Sequence, residues 1–133
     1  MTTALEKNLS GWVRNAPYVY STSTCRDTLR VMFQHPESKC IVVCNAENEP
    51  LGLLMSEGFF LIATGRLGVD LFYKEPVMNY MNRKPLIADV TIPLDLLRTE
   101  ARIRSELDRN DCIILTRNGK YAGVLNASDL HLV

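Results

Sequence analysis

Few residues of this chain have the types and spacing that catalysis or metal binding requires. None of its four cysteines forms a C-x-x-C pair, and it has only two histidines, His35 and His131, so we expect no zinc site. Neither histidine has a serine or cysteine partner nearby in sequence, and no glycine-rich phosphate-binding motif occurs. Cys40 and Cys44 share one face of a predicted strand, where reduced thiols pack as small apolar groups. The sequence therefore predicts no catalytic residues, no metal site and no enzyme activity.

Composition and charge are those of a soluble globular protein. The chain has 133 residues, 47% of them apolar and 23% charged, which suits one compact body or two small subdomains sharing a core. It has 15 basic and 15 acidic residues, so the overall field favours neither nucleic acid nor an anionic membrane as a partner. The apolar runs are far shorter than the roughly 20 residues that span a bilayer, and the N-terminus lacks a secretory signal. We expect a cytoplasmic protein.

One pattern occurs twice and organises the chain. Residues 40–54 align with residues 112–125, and each segment reads as a strand, a polar turn and a second strand that opens at a glycine. Asn118-Gly119 is the preferred dipeptide of a two-residue type I′ hairpin, and the turn at residues 45–49 reads as a slightly longer version. We therefore expect two hairpins.

A helix is predicted before each hairpin. Residues 21–29 align with residues 88–96, and a short apolar strand precedes each segment. Thr24 and Thr91 occupy the positions where an N-cap is expected, and Pro93 would lie in the first turn of the second helix. Each copy therefore starts with a strand followed by a capped helix.

The two copies together predict an α+β fold: two pseudo-symmetric β-α-β-β-α units with small mixed sheets packed against helices. A further short helix follows each hairpin, starting near Ser56 and near Ala127. The predicted divisions are an N-terminal extension at residues 1–16, a first unit at 17–72 and a second unit at 73–133. The extension would contain an amphipathic helix over Thr3 to Val13. A polar connection from Gly65 to Glu75 and a linker helix at 76–82 would join the two copies.

Two stretches of sequence resemble the opening and closing motifs of one family. Pro76-Val-Met-Asn-Tyr-Met-Asn-Arg-Lys-Pro85-Leu-Ile-Ala-Asp is similar to the opening motif, and Gly123-Val-Leu-Asn-Ala-Ser-Asp129-Leu is similar to the closing one. With a degenerate first copy, they resemble a tandem pair of cystathionine-β-synthase (CBS) domains, a Bateman module, from Pro17 to the end. The segment from Gly58 to Phe72 also resembles linkers of CBS pairs in bacterial cyclic-di-GMP signalling proteins.

The resemblance implies a nucleotide with an adenosine moiety, bound in the cleft between the copies. AMP, ADP, ATP or S-adenosylmethionine would be a regulatory ligand, and no cofactor is required. In such a site Asp129 accepts hydrogen bonds from two ribose hydroxyls. Asn126 stands where a phosphate-contacting threonine or serine is usual, with Ser128 beside it. The exit of the first strand of the second copy would contact the base and the phosphates through Ile87, Ala88, Asp89 and Thr91.

The charged residues of the implied site each have a second interpretation. Lys39 and Arg109 lie at or near positions where the family often has a basic residue facing phosphate, but ordinary solvated charge explains both equally well. Asp129 could be a carboxylate that is favourable at a helix N-terminus without any ligand. Asp89 would repel a phosphate unless a metal or an arginine offsets its charge.

The first copy departs from the pattern at the decisive positions. Met55 replaces the usual threonine or serine, and Gly58 replaces the aspartate that would hold the ribose. We therefore expect at most one good nucleotide site in the chain, in the second copy.

The function implied by the resemblance is a non-catalytic ligand sensor that controls a fused or partner output domain. Val133 is either a natural end or a boundary within a longer protein. The alternative is a ligand-free module that dimerises a larger signalling protein, because CBS pairs form homodimers through their helices. Apolar surface for that contact would come from Phe59, Phe60, Leu71, Phe72 and Tyr73.

Overall fold

The computed structural model of the protein describes residues 11–65 and 70–130. These residues form two three-stranded sheets, and helices connect or follow the strands along the chain. The predicted α+β fold with two small mixed sheets is confirmed.

The first copy contains the strands β1 (Tyr18–Tyr20), β2 (Cys40–Cys44) and β3 (Pro50–Met55), the helices α1 (Cys25–Gln34), α2 (Ser56–Thr64) and α3 (Asp70–Lys74), and a 3₁₀ turn (Val77–Asn79). Strand β2 is central, parallel to β1 and antiparallel to β3, and all five of its residues are buried. The polar connection expected from Gly65 to Glu75 contains a helix that the sequence did not predict. Helix α3 forms there and buries Phe72, which is 1% exposed.

The second copy contains β4 (Ile87–Asp89), α4 (Leu94–Arg102), β5 (Ile113–Arg117), β6 (Lys120–Leu125) and α5 (Ala127–Leu130). Its sheet has the order of the first, with β5 parallel to β4 and antiparallel to β6. Across both copies, no helix in the described ranges is long and apolar enough to span a membrane.

The chain forms two compact units whose limits differ from the repeat boundaries assigned from sequence. The first unit spans Ala16–Lys84, and the second unit joins residues 11–15 to the residues from Pro85 onward. The second unit gains its N-terminal part because Arg14 and Val124 exchange two backbone hydrogen bonds of 2.9 Å. The amphipathic helix expected over Thr3 to Val13 lies, up to residue 10, outside the described residues.

The two helices that follow β1 and β4 begin differently. The Thr24 hydroxyl accepts a hydrogen bond from the Asp27 backbone N–H at 3.1 Å, so the predicted N-cap of α1 is confirmed. The expected N-cap role of Thr91 was wrong, because α4 begins at Leu94 and Pro93 is the flanking residue. Thr91 instead bonds back to Asp89 in the turn that leaves β4.

Both predicted hairpins are present. Asn118 and Gly119 have φ values of +54° and +80°, which is the pair of positive φ angles that a type I′ turn needs. The longer turn between β2 and β3 places Asn48 at φ +63°. Asparagine tolerates this left-handed region better than other side chains do.

Each unit has its own hydrophobic core. In the first unit Phe59 and Phe72 are 2% and 1% exposed and their rings are 6.2 Å apart, so the expectation that both lie on an exposed surface was wrong. The four cysteines are all buried and none is in a disulfide, as packing predicts. Burial raises the pKa of Cys25 and of Cys44 to about 11.

Candidate functional site

Asp129 lies in the first turn of α5, just after β6. Its backbone N–H donates to the carbonyl of Asn126 at 3.0 Å, and its side chain is only 12% exposed. Among the residues that the structure describes, its carboxylate has one hydrogen-bond partner, Arg14. A carboxylate has about four acceptor positions. Most of the acceptor capacity of this nearly buried group is therefore available to hydroxyl or N–H donors of a bound molecule.

Arg14 contacts the candidate site, and sequence reasoning missed it. The Nη2 atom of its guanidinium lies 3.3 Å from Oδ2 of Asp129, and the arginine side chain is 57% exposed. The two residues are 115 positions apart. No local pattern marks Arg14, because it precedes the first copy and its partner lies in the last helix.

Asn126 and Ser128 both precede Asp129 in sequence, and they have different surroundings. Asn126 is 8% exposed, and its Oδ1 accepts a weak hydrogen bond from the Cys112 thiol, 3.5 Å away. Ser128 is exposed. The structure therefore brings the predicted residues of the closing motif together, with the Asn126 oxygen directed to a buried thiol.

A pocket of about 190 Å³ lies beside the same helix. Arg104 is held in its wall, because its guanidinium donates to the backbone carbonyls of Ala101, Arg109 and Asp111 at 2.9–3.2 Å. Burial lowers the pKa of Arg104, against the opposing charges of Asp111 and Asp108. The pocket is lined by Ala101, Arg102, Arg104, Arg109, Ala127 and Leu130. The predicted residue Arg109 thus lies near α5, on the pocket, and Asp129 does not line that pocket.

Asp89 and Thr91 form a local turn of their own. One oxygen of the Asp89 carboxylate accepts from the Thr91 hydroxyl at 2.7 Å and from the Thr91 backbone N–H at 2.9 Å. The hydroxyl first, the backbone N–H next, and the charge of Arg117 more weakly hold the pKa of Asp89 below its usual value. The Thr91 groups that were expected to contact phosphate are therefore bonded to Asp89.

The predicted residues of the second copy lie at two different ends of its sheet. Asp89 is opposite Thr116 on β5, whereas Leu125, which precedes Asn126, is opposite Ile113. Three residues of a strand span about 10 Å. Asp89 and Thr91 are therefore not brought next to Asp129. Between the two ends lie the remaining predicted residues of β4, Ile87, which is 38% exposed, and Ala88, which is buried.

The predicted residue of the first copy, Lys39, lies in the first unit, just before β2. Its side chain is exposed, and its carbonyl accepts from the Ser56 backbone N–H at 2.9 Å. At the start of α2, Met55 and Gly58 take the places of Asn126 and Asp129. The first unit therefore has no carboxylate at the position of Asp129.

Comparison with known proteins identifies the fold. No protein-family model matches the sequence, and no curated protein does. Solved structures match almost the whole chain. The CBS-domain protein ATU1752 from Agrobacterium tumefaciens is 17% identical, with 96% of this chain and 95% of that chain covered and a TM-score of 0.65. CBSX2 in complex with AMP is 15% identical, with 93% of each chain covered and a TM-score of 0.66.

A third match is the CBS-domain protein PAE2072 from Pyrobaculum aerophilum, solved with AMP. It is 18% identical, with 87% of this chain and 83% of that chain covered and a TM-score of 0.66. The chain therefore has the fold of a tandem CBS-domain pair, as the two sequence motifs predict.

Proposed function

We propose that this protein is a non-catalytic regulatory module whose second unit binds an adenosine-containing nucleotide through Asp129. Binding would control a fused or partner output domain. The observation that carries the proposal is the carboxylate of Asp129, 12% exposed, with one partner among the described residues. A buried carboxylate with open acceptor positions is stabilised by hydroxyl donors. The two adjacent hydroxyls of a ribose supply such donors side by side.

Two further observations support the proposal. CBSX2 and PAE2072, which share the fold, were each solved with AMP. Asn126 and Ser128 precede Asp129 at the spacing that the family's closing motif implies.

The test is a thermal-shift screen with AMP, ADP, ATP, S-adenosylmethionine and cyclic dinucleotides. A ligand at 100 times its Kd stabilises the folded protein by about 2.7 kcal/mol, which is a rise in Tm of about 10 °C for a domain of this size. Asp129→Asn should abolish the rise, because it removes the charge that accepts both hydroxyls.

Asp95→Asn is the matched control. Asp95 also lies in the first turn of a helix of the second unit and also pairs with an arginine, Arg98, but its side chain is 98% exposed. This variant should respond to ligand as the unchanged protein does. A rise in Tm that persists in Asp129→Asn would contradict the proposed site.

A ligand-free dimerisation module is the second candidate, and exposed apolar side chains favour it. Helix α2 exposes Phe60, Leu61 and Ile62, and Leu71 of α3 is 72% exposed. Patches of this kind occur where proteins associate. No shift with any nucleotide, together with a concentration-dependent dimer in sedimentation experiments, would favour this function over nucleotide binding.

A further inference from the structure

The segment that carries Arg14 is built into the second unit. Arg14 pairs with Val124 through two backbone hydrogen bonds of 2.9 Å, so it extends the sheet beyond β6. A Cβ atom on Gly123 would lie 2.7 Å from Cγ1 of Val13 and 3.1 Å from the carbonyl oxygen of Arg14. Trp12 and Val13 pack on the core of the unit. The backbone at residue 14 is therefore positioned closely, and its side chain starts from a defined place.

From that place the guanidinium reaches Asp129, which is its one side-chain partner among the residues that the structure describes. Its Nη2 atom donates to Oδ2 of Asp129 at 3.3 Å, and 57% of the arginine side chain is exposed. A guanidinium has five N–H donors. Most of the donors of Arg14 can therefore contact a molecule that Asp129 holds.

The first unit contains the same backbone arrangement without the two charges. There Asn82 pairs with Leu53 through two backbone hydrogen bonds of 2.8 and 3.0 Å, as Arg14 pairs with Val124. Gly52 lies under this segment as Gly123 does under the other. The position of Asp129 is occupied by Gly58. Arginine and aspartate thus occur together in the second unit, and asparagine and glycine occur together in the first.

The chemistry of an arginine beside a ribose-binding carboxylate indicates the class of ligand. A phosphorylated nucleoside held by Asp129 brings its phosphate into the same site as the carboxylate. Two negative charges in one site repel each other. A guanidinium next to the carboxylate offsets this repulsion and binds phosphate oxygens with paired donors. An unphosphorylated nucleoside gains nothing from that charge.

From this juxtaposition we infer that Arg14 is the specificity-determining residue that makes the Asp129 site select phosphorylated nucleosides over unphosphorylated ones. The inference rests on the proposed function. It assigns a ligand-contacting role to the segment before the first repeat.

Isothermal titration calorimetry of the full chain with AMP, ATP and adenosine tests the inference. Arg14→Gln should weaken AMP and ATP binding by about tenfold, the loss typical of one charge-assisted contact, and leave adenosine binding unchanged. Arg14→Lys should restore part of the preference for AMP because it keeps the charge. Arg98→Gln is the matched control, since it removes an arginine from another ion pair of the same unit and should change none of the affinities.

The outcomes separate the inference from the proposed function. If no nucleotide binds to the unchanged protein, the proposed function is wrong and the inference falls with it. If AMP or ATP binds and Arg14→Gln leaves the ratio of phosphorylated-ligand to adenosine affinity unchanged, the inference alone is wrong. Binding of S-adenosylmethionine alone, which carries no phosphate, would support the function and contradict the inference. A Tm of Arg14→Gln equal to that of Arg98→Gln confirms that folding is not the cause.

Discussion

Gly123 shows how a single residue without a side chain allows the candidate site to form. Its φ of +148° is a region that residues with a Cβ atom rarely adopt. The position where a Cβ would be is already approached by Val13 and by the carbonyl oxygen of Arg14. Because residue 123 has no side chain, residues 13 and 14 can pack on β6. The same packing places Arg14 next to the last helix.

Gly123→Ala should therefore destabilise the protein, by about 1–3 kcal/mol from backbone strain and close contact together. Urea unfolding monitored by circular dichroism measures the loss. Gly58→Ala is the matched control, because Gly58 lies in α2 and a methyl group added there would enter open space beside the helix. Alanine is also favoured over glycine in a helix by about 0.5–1 kcal/mol. A Gly123→Ala variant as stable as Gly58→Ala would contradict the close packing of residues 13 and 14 on β6.

At the scale of elements, the two helices that follow the first strands depend on different interactions. Helix α1 has a side-chain N-cap, because Thr24 accepts from the Asp27 N–H. Helix α4 has no side-chain cap and begins after Pro93. The corresponding helices of the two copies therefore start with different chemistry although the sheets have the same order.

Thr24→Ala should cost about 1 kcal/mol of unfolding free energy, the usual value of an N-cap side chain. Chemical denaturation measures this cost. Thr22→Ala serves as the control, because Thr22 is exposed and its hydroxyl has no hydrogen bond to any residue that the structure describes. Equal stability of the two variants would show that the cap contributes nothing.

For the molecule as a whole, the two units are alike in topology and unlike in site chemistry. Each has a sheet of three strands with a parallel and an antiparallel pair, and each has a segment paired to its last strand. The carboxylate and the arginine occur in the second unit, whereas Gly58 and Asn82 take their places in the first. We therefore expect a nucleotide to act on the two units unequally.

Hydrogen–deuterium exchange with and without AMP at saturating concentration should show this inequality. Peptides that cover residues 11–15 and 123–130 should become protected, because ligand bound at Asp129 stabilises both segments. The corresponding segment of the first unit, residues 52–58, should change less. Greater protection at residues 52–58 would place the ligand on the first unit and contradict the assignment of the site to Asp129.

Much of the fold could be predicted because its signals are local. The type I′ turn depends on two adjacent residues, Asn118 and Gly119, whose φ values the residue types themselves favour. The Thr24 cap depends on a hydrogen bond between residues three positions apart. The expected N-cap role of Thr91 was wrong for two reasons. The Thr91 hydroxyl donates a hydrogen bond to the Asp89 carboxylate, and the helix begins only after the proline at position 93.

The repeat, the two hairpins, the α+β architecture and the loss of the aspartate at Gly58 could all be predicted from the order of the residues, since each depends on residue types at short spacing. Which of the predicted site residues lie together could be seen only in the three-dimensional fold. The fold separated Asp89 from Asp129 through the strand register. It also joined Asp129 to Arg14 across 115 positions, because pairing of the N-terminal segment with β6 is a long-range contact that no local pattern encodes.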